Sequence, residues 1–267
     1  MEPGSEGFIR LAVFVSIFLA LALAERARPF RKEFTRGERW LSNIGLSVLN
    51  TLVVRLLSIV LPLLPVAVAV LAEGQGLFGA LAMPPLAAGI AGFLVLDLAV
   101  YMQHVVFHHV PWFWRLHRVH HADTQFDVTT AIRFHPVEIL LSLVWKVAVI
   151  ITFGIPALAV LVFEIVLNAS AMFSHANVGL PPALDRALRT VVVTPDMHRV
   201  HHSVVPREIN MNFGFNLSVW DRLFGTYLRA TQQDARVMPF GLPSYQRPEA
   251  SSLLWLLLFP FHRGKIL

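Results

Sequence analysis

The chain has no cysteine and few charged residues. The absence of cysteine among 267 residues excludes disulfides, thiolate metal sites and a cysteine nucleophile, so nitrogen and oxygen atoms must hold any metal. Only 15% of the residues are charged, whereas 55% are apolar and the mean hydropathy is +0.61. This composition excludes an ordinary soluble domain and predicts an integral membrane protein.

The first long apolar run, Phe8–Ala24, is interrupted only by Arg10 and is followed by six cations. The end of the run, Ala22-Leu23-Ala24, also fits a signal-peptide cleavage site. We favour a retained anchor with its N-terminus outside, because cleavage would send the cations to the outer face, against the positive-inside rule. The six cations are Arg26, Arg28, Arg31, Lys32, Arg36 and Arg39.

Further apolar runs cover 41–72 and 77–100, the second with a kink or a delayed helix start expected at Pro84-Pro85. Val137–Ser174 is predicted to form a hairpin with its apex near 153–156. We therefore predict an all-α integral membrane protein with about four transmembrane helices, the second pair a hairpin, and a cytosolic helical domain carrying a histidine-rich dimetal site. The expected domains are N-terminal transmembrane helices (1–96), a catalytic domain (97–250, including the hairpin 137–174) and a short apolar interfacial segment (251–267), which lies in the membrane interface or packs under the domain.

Lys146 lies in the middle of the first hairpin limb, where an unpaired ammonium is costly. Counted from an apex at Ile155, Lys146 is nine residues before it and Glu164 nine residues after it. The sequence predicts that the two pair, with Lys146 extending alone toward the interface as the alternative.

Two copies of the pattern HRVHH and an upstream His-x-x-x-His place eight histidines at spacings of three or four. On a helix, positions i, i+3 and i+4 share one face, so each cluster is expected to direct its imidazoles at a common point. Because eight or nine imidazoles exceed the needs of one tetrahedral ion, two metal ions are predicted. The eight are His104, His108, His117, His120, His121, His198, His201 and His202.

His175, in FSHANVG at the end of the hairpin, is predicted as a ninth ligand. For His135, in RFHPVE, a tenth-ligand role and an orienting or capping role both stay open, and His109 and His262 are treated as non-ligands. Polar residues in or beside the motifs are candidates to accept hydrogen bonds from the outer ring nitrogens, although surface salt bridges are the alternative for the carboxylates. The candidates are Asp97, Tyr101, Asp123, Asp127, His135, Glu138, Asn177, Asp196 and Asp221.

In the order DLAVYMQHVVFHH, HRVHHAD, RFHPVE, FSHANVG, TPDMHRVHHS and NFGFNLSVWDRLFGTY, the motifs of Asp97–Tyr227 resemble the fatty acid hydroxylase and sterol desaturase superfamily. The resemblance implies that the eight motif histidines and His175 bind two iron ions, with zinc as an ion that purified or crystallised protein could carry instead. It also implies O2-dependent hydroxylation or desaturation of an unactivated C–H bond of a lipid: sterol, fatty acyl, sphingoid, carotenoid and ether lipids all stay open.

The resemblance further implies a separate electron donor, a haem or iron-sulfur redox protein with its reductase. The order of the apolar runs and the cations beside them predicts a multi-pass protein with its active site on the cytoplasmic side. The basic inner face suits an acidic redox partner, and no nucleic acid partner is expected. The alternative function is a divalent-metal binding or transport protein of the membrane, although transporters place their ligands near the bilayer midplane. A metal-dependent hydrolase is not favoured, because the sequence has no His-Glu-x-x-His motif.

Overall fold

The structure, a computed structural model, describes residues 5–32, 37–60, 74–246 and 251–262. Within these ranges the regular secondary structure is helical, and strand-like pairing is limited to isolated bridges such as Pro29–Val178. Short 3₁₀ turns occur at 130–132, 243–245 and 259–261. The α-helices are α1 Ser5–Ala27, α2 Gly37–Val60, α3 Leu77–Ala80, α4 Pro85–His109, α5 Pro111–His121, α6 Pro136–Phe153, α7 Ala157–His175, α8 Pro182–Leu188, α9 Pro195–His201, α10 Pro206–Ile209, α11 Val219–Leu223 and α12 Leu253–Leu258.

Five helices in the described ranges are long and apolar enough to cross a membrane, compared with the predicted number of about four. They are α1, α2, α4, α6 and α7, and much of their surface is not covered by protein. The second half of the apolar run 41–72 lies largely outside the described residues. The apolar segments are Phe8–Ala27, Gly37–Leu57, Pro85–His109, Pro136–Phe153 and Ala157–His175.

The predicted hairpin is confirmed. Helix α6 ends at Phe153, Gly154 adopts a left-handed conformation (φ 66°), and α7 begins at Ala157. A Cβ at Gly154 would lie 2.0 Å from the Gln75 carbonyl oxygen, so only glycine fits this close approach of two turns. The predicted delay at Pro84-Pro85 is also observed, because α4 begins at Pro85 after the separate turn α3.

The predicted pairing within the hairpin is confirmed as well. Lys146 Nζ lies 2.5 Å from Glu164 Oε1, so the two charges compensate each other between α6 and α7. Arg10 of α1 adds a contact that the sequence did not predict, with its guanidinium 3.2 Å from Glu164 Oε2. Arg10, Lys146 and Glu164 therefore form one charged cluster, which joins α1 to the hairpin.

The C-terminal apolar segment packs beneath the motif helices, one of the two placements expected for it. Leu256 and Phe259 are fully buried in a cluster with Leu46 of α2 and Trp114 of α5. The Arg118 guanidinium of α5 donates to the Phe259 carbonyl oxygen (2.7 Å) and lies over the Phe259 ring. This segment thus holds α2 and α5 together next to the first HRVHH copy.

Candidate metal centre

Four helices deliver the histidines to one place. They are α4 at its end, α5 over its whole length, α7 at its last residue, and the short helix α9 together with the residue after it. All nine predicted histidines fall into two groups, in each of which the ligand nitrogens lie within 4.8 Å of one another. The five-histidine group is His104, His108, His117, His121 and His201, and the four-histidine group is His120, His175, His198 and His202.

Each HRVHH copy contributes to both groups. From the first copy, the i and i+4 residues enter the five-histidine group and His120 enters the other. From the second copy, the i and i+4 residues enter the four-histidine group and His201 crosses over. The expectation that each cluster directs its imidazoles at a common point is wrong. On an α-helix i+3 and i+4 differ by about 100° around the axis, enough to direct adjacent histidines at two points.

The spacing of the nitrogens in the four-histidine group fits a bound cation better than a hydrogen-bond network. His175 Nε2 lies 3.1, 3.0 and 3.2 Å from the Nε2 atoms of His120, His198 and His202. A ring nitrogen carries at most one hydrogen, so it cannot donate to three partners. Metal–nitrogen bonds of about 2.0–2.1 Å place neighbouring ligand nitrogens about 2.9–3.4 Å apart. The observed distances match that spacing.

The outer nitrogens of several rings are fixed by carbonyl acceptors. His175 Nδ1 lies 2.7 Å from the Ala171 carbonyl oxygen one turn earlier in α7. With the hydrogen on Nδ1, the Nε2 lone pair faces the group, as a metal ligand requires. In the five-histidine group, the corresponding contacts are His104 Nδ1 to Phe213 O (2.7 Å) and His201 Nδ1 to Met211 O (2.9 Å).

Glu138 is the one candidate carboxylate in direct contact with a histidine of either group. Its Oε1 accepts from Nδ1 of His117 at 2.7 Å, which leaves the His117 Nε2 toward the five-histidine group. The first turn of α6 brings this carboxylate to the centre, after His135 caps the helix by accepting from the Val137 N–H. The side chain is buried and its Oε2 has no hydrogen-bond partner.

Burial keeps the imidazoles outside the apolar helices neutral. It lowers the pKa of His117 to about 3, by removing the charged form from water. Burial and then neighbouring imidazoles lower the pKa of five others well below the ordinary value, so their lone pairs are free for a metal at neutral pH. The five are His120, His121, His198, His201 and His202.

Three candidate residues support the loop that carries Phe213. Asp221 accepts from the Phe213 and Gly214 N–H groups (2.7 and 2.9 Å), and the Tyr101 hydroxyl contacts Thr226 (2.8 Å). Asp97 accepts from the Trp220 indole N–H (2.8 Å). Asp221 therefore acts on His104 through the Phe213 carbonyl, whereas Tyr101 and Asp97 hold the residues that follow in the same segment. The sequence did not predict the carbonyl acceptors of Phe213, Met211 and Ala171, because a backbone carbonyl gives no signal in the sequence.

Asp123 and Asp127 belong to a buried ion network beside the centre. The Arg39 guanidinium of α2 contacts both carboxylates, Asp123 at 2.7 Å. Burial raises the pKa of Asp123, but Arg39, Arg133 and hydrogen bonds from Thr130 and Gln125 together bring it below its ordinary value, so the carboxylate stays charged. The two acids do not contact a histidine. They attach the loop after the first HRVHH copy to α2, and Asn43 of α2 donates to Thr129 in the same loop (3.0 Å).

The remaining candidates lie outside both groups. His135 uses Nδ1 for the helix cap and Nε2 for the Leu257 carbonyl (3.2 Å), so the structure shows the capping role. Asn177 binds both backbone polar groups of Arg31, and Asp196 pairs with Arg199. As expected, His109 and His262 are not members of either group; each ring instead contacts a carbonyl of its own segment.

Comparison with known proteins decides the family. The profile of the fatty acid hydroxylase family matches residues 89–226, about half of the chain, and this range contains all nine grouped histidines. The chain belongs to the fatty acid hydroxylase family. The resemblance predicted from the motifs is thereby confirmed, and family membership together with the apolar helices identifies a membrane protein.

The chain is similar to several curated lipid-modifying enzymes. It is 28% identical to the ornithine lipid hydroxylase OlsE of Rhizobium tropici over 221 residues, which are 80% of this chain and 66% of that protein. It is 32% identical to the alkylglycerol monooxygenase of Xenopus tropicalis over 51% of this chain and 29% of that protein. Human cholesterol 25-hydroxylase is 28% identical over 54% of this chain and 52% of its own length. The chain thus spans less than two thirds of these relatives, and no solved structure matches it significantly.

Proposed function

We propose that this protein is a membrane-bound oxidoreductase that uses O2 and external electrons to hydroxylate or desaturate an unactivated C–H bond of a lipid. The observation that carries the proposal is the convergence of nine imidazoles into two adjacent groups at one end of apolar helices. Among the described residues neither group contains a carboxylate, so every candidate ligand is an imidazole.

The two groups would each hold one iron ion, the first with five imidazole ligands and the second with four. Bound iron supplies the O2 activation and the oxidising power that cleavage of an unactivated C–H bond needs. The protein side chains fix the ligands: Glu138 and the carbonyls of Phe213, Met211 and Ala171 hold the outer nitrogens, so that each Nε2 faces inward.

The surroundings of the groups keep water away from the reacting carbon. Eight of the nine histidines are buried, and Phe126 and Phe134 stack on rings of the four-histidine group, with Phe134 centred 4.5 Å from His120. An aromatic wall of this kind excludes solvent and offers an apolar surface to a lipid chain. We therefore place the substrate carbon beside the two histidine groups.

The relatives support an order in which substrate classes should be assayed. The named relatives are hydroxylases or monooxygenases, which favours hydroxylation as the first reaction to assay. The ornithine lipid hydroxylase matches 80% of this chain, so amino-acid-containing lipids come first, followed by alkylglycerols and sterols.

The centre would face the cytoplasm and receive electrons from a separate redox protein. The positive-inside rule supports this orientation, because the cations that follow α1 lie at the same end as the histidines: Asn177, two residues after His175, binds Arg31. A basic surface on that side suits an acidic donor. We therefore expect activity with an added haem or iron-sulfur protein and its reductase.

A divalent-metal transporter is the alternative, and the position of the histidines counts against it. His104 and His108 lie in the last turns of α4, and His175 is the last residue of α7, so the groups lie at one end of the spans rather than at the midplane. Purified protein in sealed vesicles should show no uptake of iron or zinc beyond its own bound ions. Uptake that His175→Ala abolishes would support the transporter instead.

Comparative lipidomics tests the enzymatic proposal. Host cells producing the wild type are compared with cells producing His201→Ala, which removes one ligand of the five-histidine group. We expect an oxygenated or desaturated lipid in the wild-type cells alone, while both proteins stay in the membrane. Identical lipids in both cultures, with the electron donor co-produced, would contradict the proposal.

A further inference from the structure

Helix α11 and the neighbouring turn expose apolar side chains beside a membrane-spanning helix. Val219, Leu223 and Phe224 are 43%, 66% and 50% exposed. Val191 is 60% exposed, and its carbonyl accepts from the Ser218 N–H at 3.0 Å, which places it next to Val219. We call these four residues the α11 surface. Four large apolar groups together on one face are more than the scattered exposure usual for a protein in water.

The α11 surface lies at the level of the middle of α4. Asp97, which accepts from the Trp220 indole, is twelve residues from either end of α4, Pro85 or His109. The Phe224 ring stacks on Tyr101, one turn further along α4, with ring centroids 5.5 Å apart. Helix α11 therefore contacts α4 at its middle and one turn nearer the histidine end, within the span rather than beyond it.

A contact with a second membrane-spanning helix, α6, indicates the same depth for α11. Trp145 of α6 donates to the Ala99 carbonyl of α4 at 2.9 Å, and Trp145 is nine residues from Pro136 and eight from Phe153. The stretch of α4 that carries α11 is thus level with the middle of the hairpin too. If α4 and α6 cross the bilayer, water cannot cover a surface at this level.

Charge around the α11 surface fits the leaflet on the side of the histidine groups. Arg186, Arg222 and Arg229 are exposed, whereas the acids of the same two segments, Asp185 and Asp221, are buried. The Arg222 guanidinium donates to the Ser218 and Arg189 carbonyls. An arginine held this way can lie over apolar side chains and reach toward anionic headgroups.

We propose that the α11 surface is immersed in the lipid bilayer, in the leaflet on the side of the histidine groups, with Arg186, Arg222 and Arg229 at anionic headgroups. The segment after α9 is then a membrane-inserted element rather than part of a domain surrounded by water. This surface depends on the packing of α11 against α4 and not on the reaction that the histidines support, so its test can fail while the enzymatic proposal stands.

The absence of cysteine allows a direct test. Leu223→Cys carries a nitroxide label in nanodiscs of phosphatidylcholine, either alone or with a minority of phosphatidylglycerol. Collisions with O2, which concentrates in lipid, are compared with collisions with a water-soluble nickel chelate. Leu94→Cys, at a position of α4 that is 41% exposed, is the reference for lipid immersion, and Gln233→Cys, at an exposed loop position, is the reference for water.

We expect the Leu223 label to favour O2 as the Leu94 label does, and to favour it more strongly when phosphatidylglycerol is present. A Leu223 label that favours the nickel chelate, as the Gln233 label should, would overturn the proposal. A label shielded from both reagents would also overturn it, because protein would then cover the surface. An O2 preference unchanged by phosphatidylglycerol would overturn the assignment of the three arginines to anionic headgroups.

Discussion

His120 and His201 occupy the same position in the two HRVHH copies, and each joins the group built mainly by the other copy. His120 belongs with His198 and His202, and His201 belongs with His117 and His121. This exchange means that neither copy makes a metal site alone. Helix α5 and helix α9 must be correctly placed for either group to exist, which couples both metals to one fold.

Paired substitutions should reveal this exchange in the metal content. His198→Ala with His202→Ala removes two ligands of one group, so about one metal per chain should remain. His198→Ala with His201→Ala removes one ligand from each group, so the binding of both metals should be weakened. Loss of a residue that only orients a ligand already costs about 10–100-fold in metal affinity. Element analysis after dialysis measures both. Equal metal content in the two double variants would contradict the grouping.

Replacing Glu138 should weaken the five-histidine group without removing a ligand. Glu138→Ala removes the acceptor that holds His117 Nδ1, and we expect metal affinity or activity to fall about 10–100-fold. Glu138→Gln keeps an acceptor oxygen, so its metal affinity or activity should fall less. Glu38→Gln, at an exposed position of α2, is the matched control and should behave like the wild type. If Glu138→Ala retained full affinity and activity, the orienting role would be wrong.

Removing Arg39 should lower the stability of the fold without removing a metal ligand. Arg39→Gln leaves Asp123 and Asp127 buried without their principal cation, and breaking a buried pair in this way costs about 3–5 kcal/mol. Thermal unfolding in detergent should show a clear loss of stability, with Arg26→Gln at an exposed position as the control. Equal unfolding temperatures for the two variants would mean that the network contributes little.

The charged cluster between α1, α6 and α7 should show coupling. Glu164→Gln alone leaves Lys146 and Arg10 without their carboxylate, whereas Lys146→Met with Glu164→Gln removes the pair together. We expect the double variant to be the more stable of the two, with a coupling energy on the order of 1–3 kcal/mol. A double variant no more stable than Glu164→Gln alone would show that the pair is not coupled.

The sequence predicted the elements well where the signal is local. Hydropathy and the positions of glycine and proline predicted the hairpin apex at 153–156 and the late start of α4 at Pro85. Counting residues along the hairpin predicted the Lys146–Glu164 pair. The eight motif histidines were also predictable, because their helical spacing is visible in the sequence, and His175 was predictable from its place at the end of the hairpin.

What the sequence could not predict depends on packing between distant segments. The division of HRVHH between two groups requires the relative placement of α5, α7 and α9, which no local spacing encodes. The contact of Arg10 with Glu164 joins segments 154 residues apart. The carbonyl of Phe213 orients His104, yet every residue has a carbonyl, so only the fold reveals which one does so.

Oxygen incorporation from labelled gas tests the central claim most directly. Cells producing the wild type or His201→Ala, each with an electron donor, are grown under ¹⁸O2 and their lipids are compared by mass spectrometry. We predict that a lipid of the wild-type cells alone carries ¹⁸O or a new double bond, and that the purified wild-type protein retains iron. A purified wild type that binds only zinc, from cells whose lipids are unlabelled and unchanged, would contradict the account.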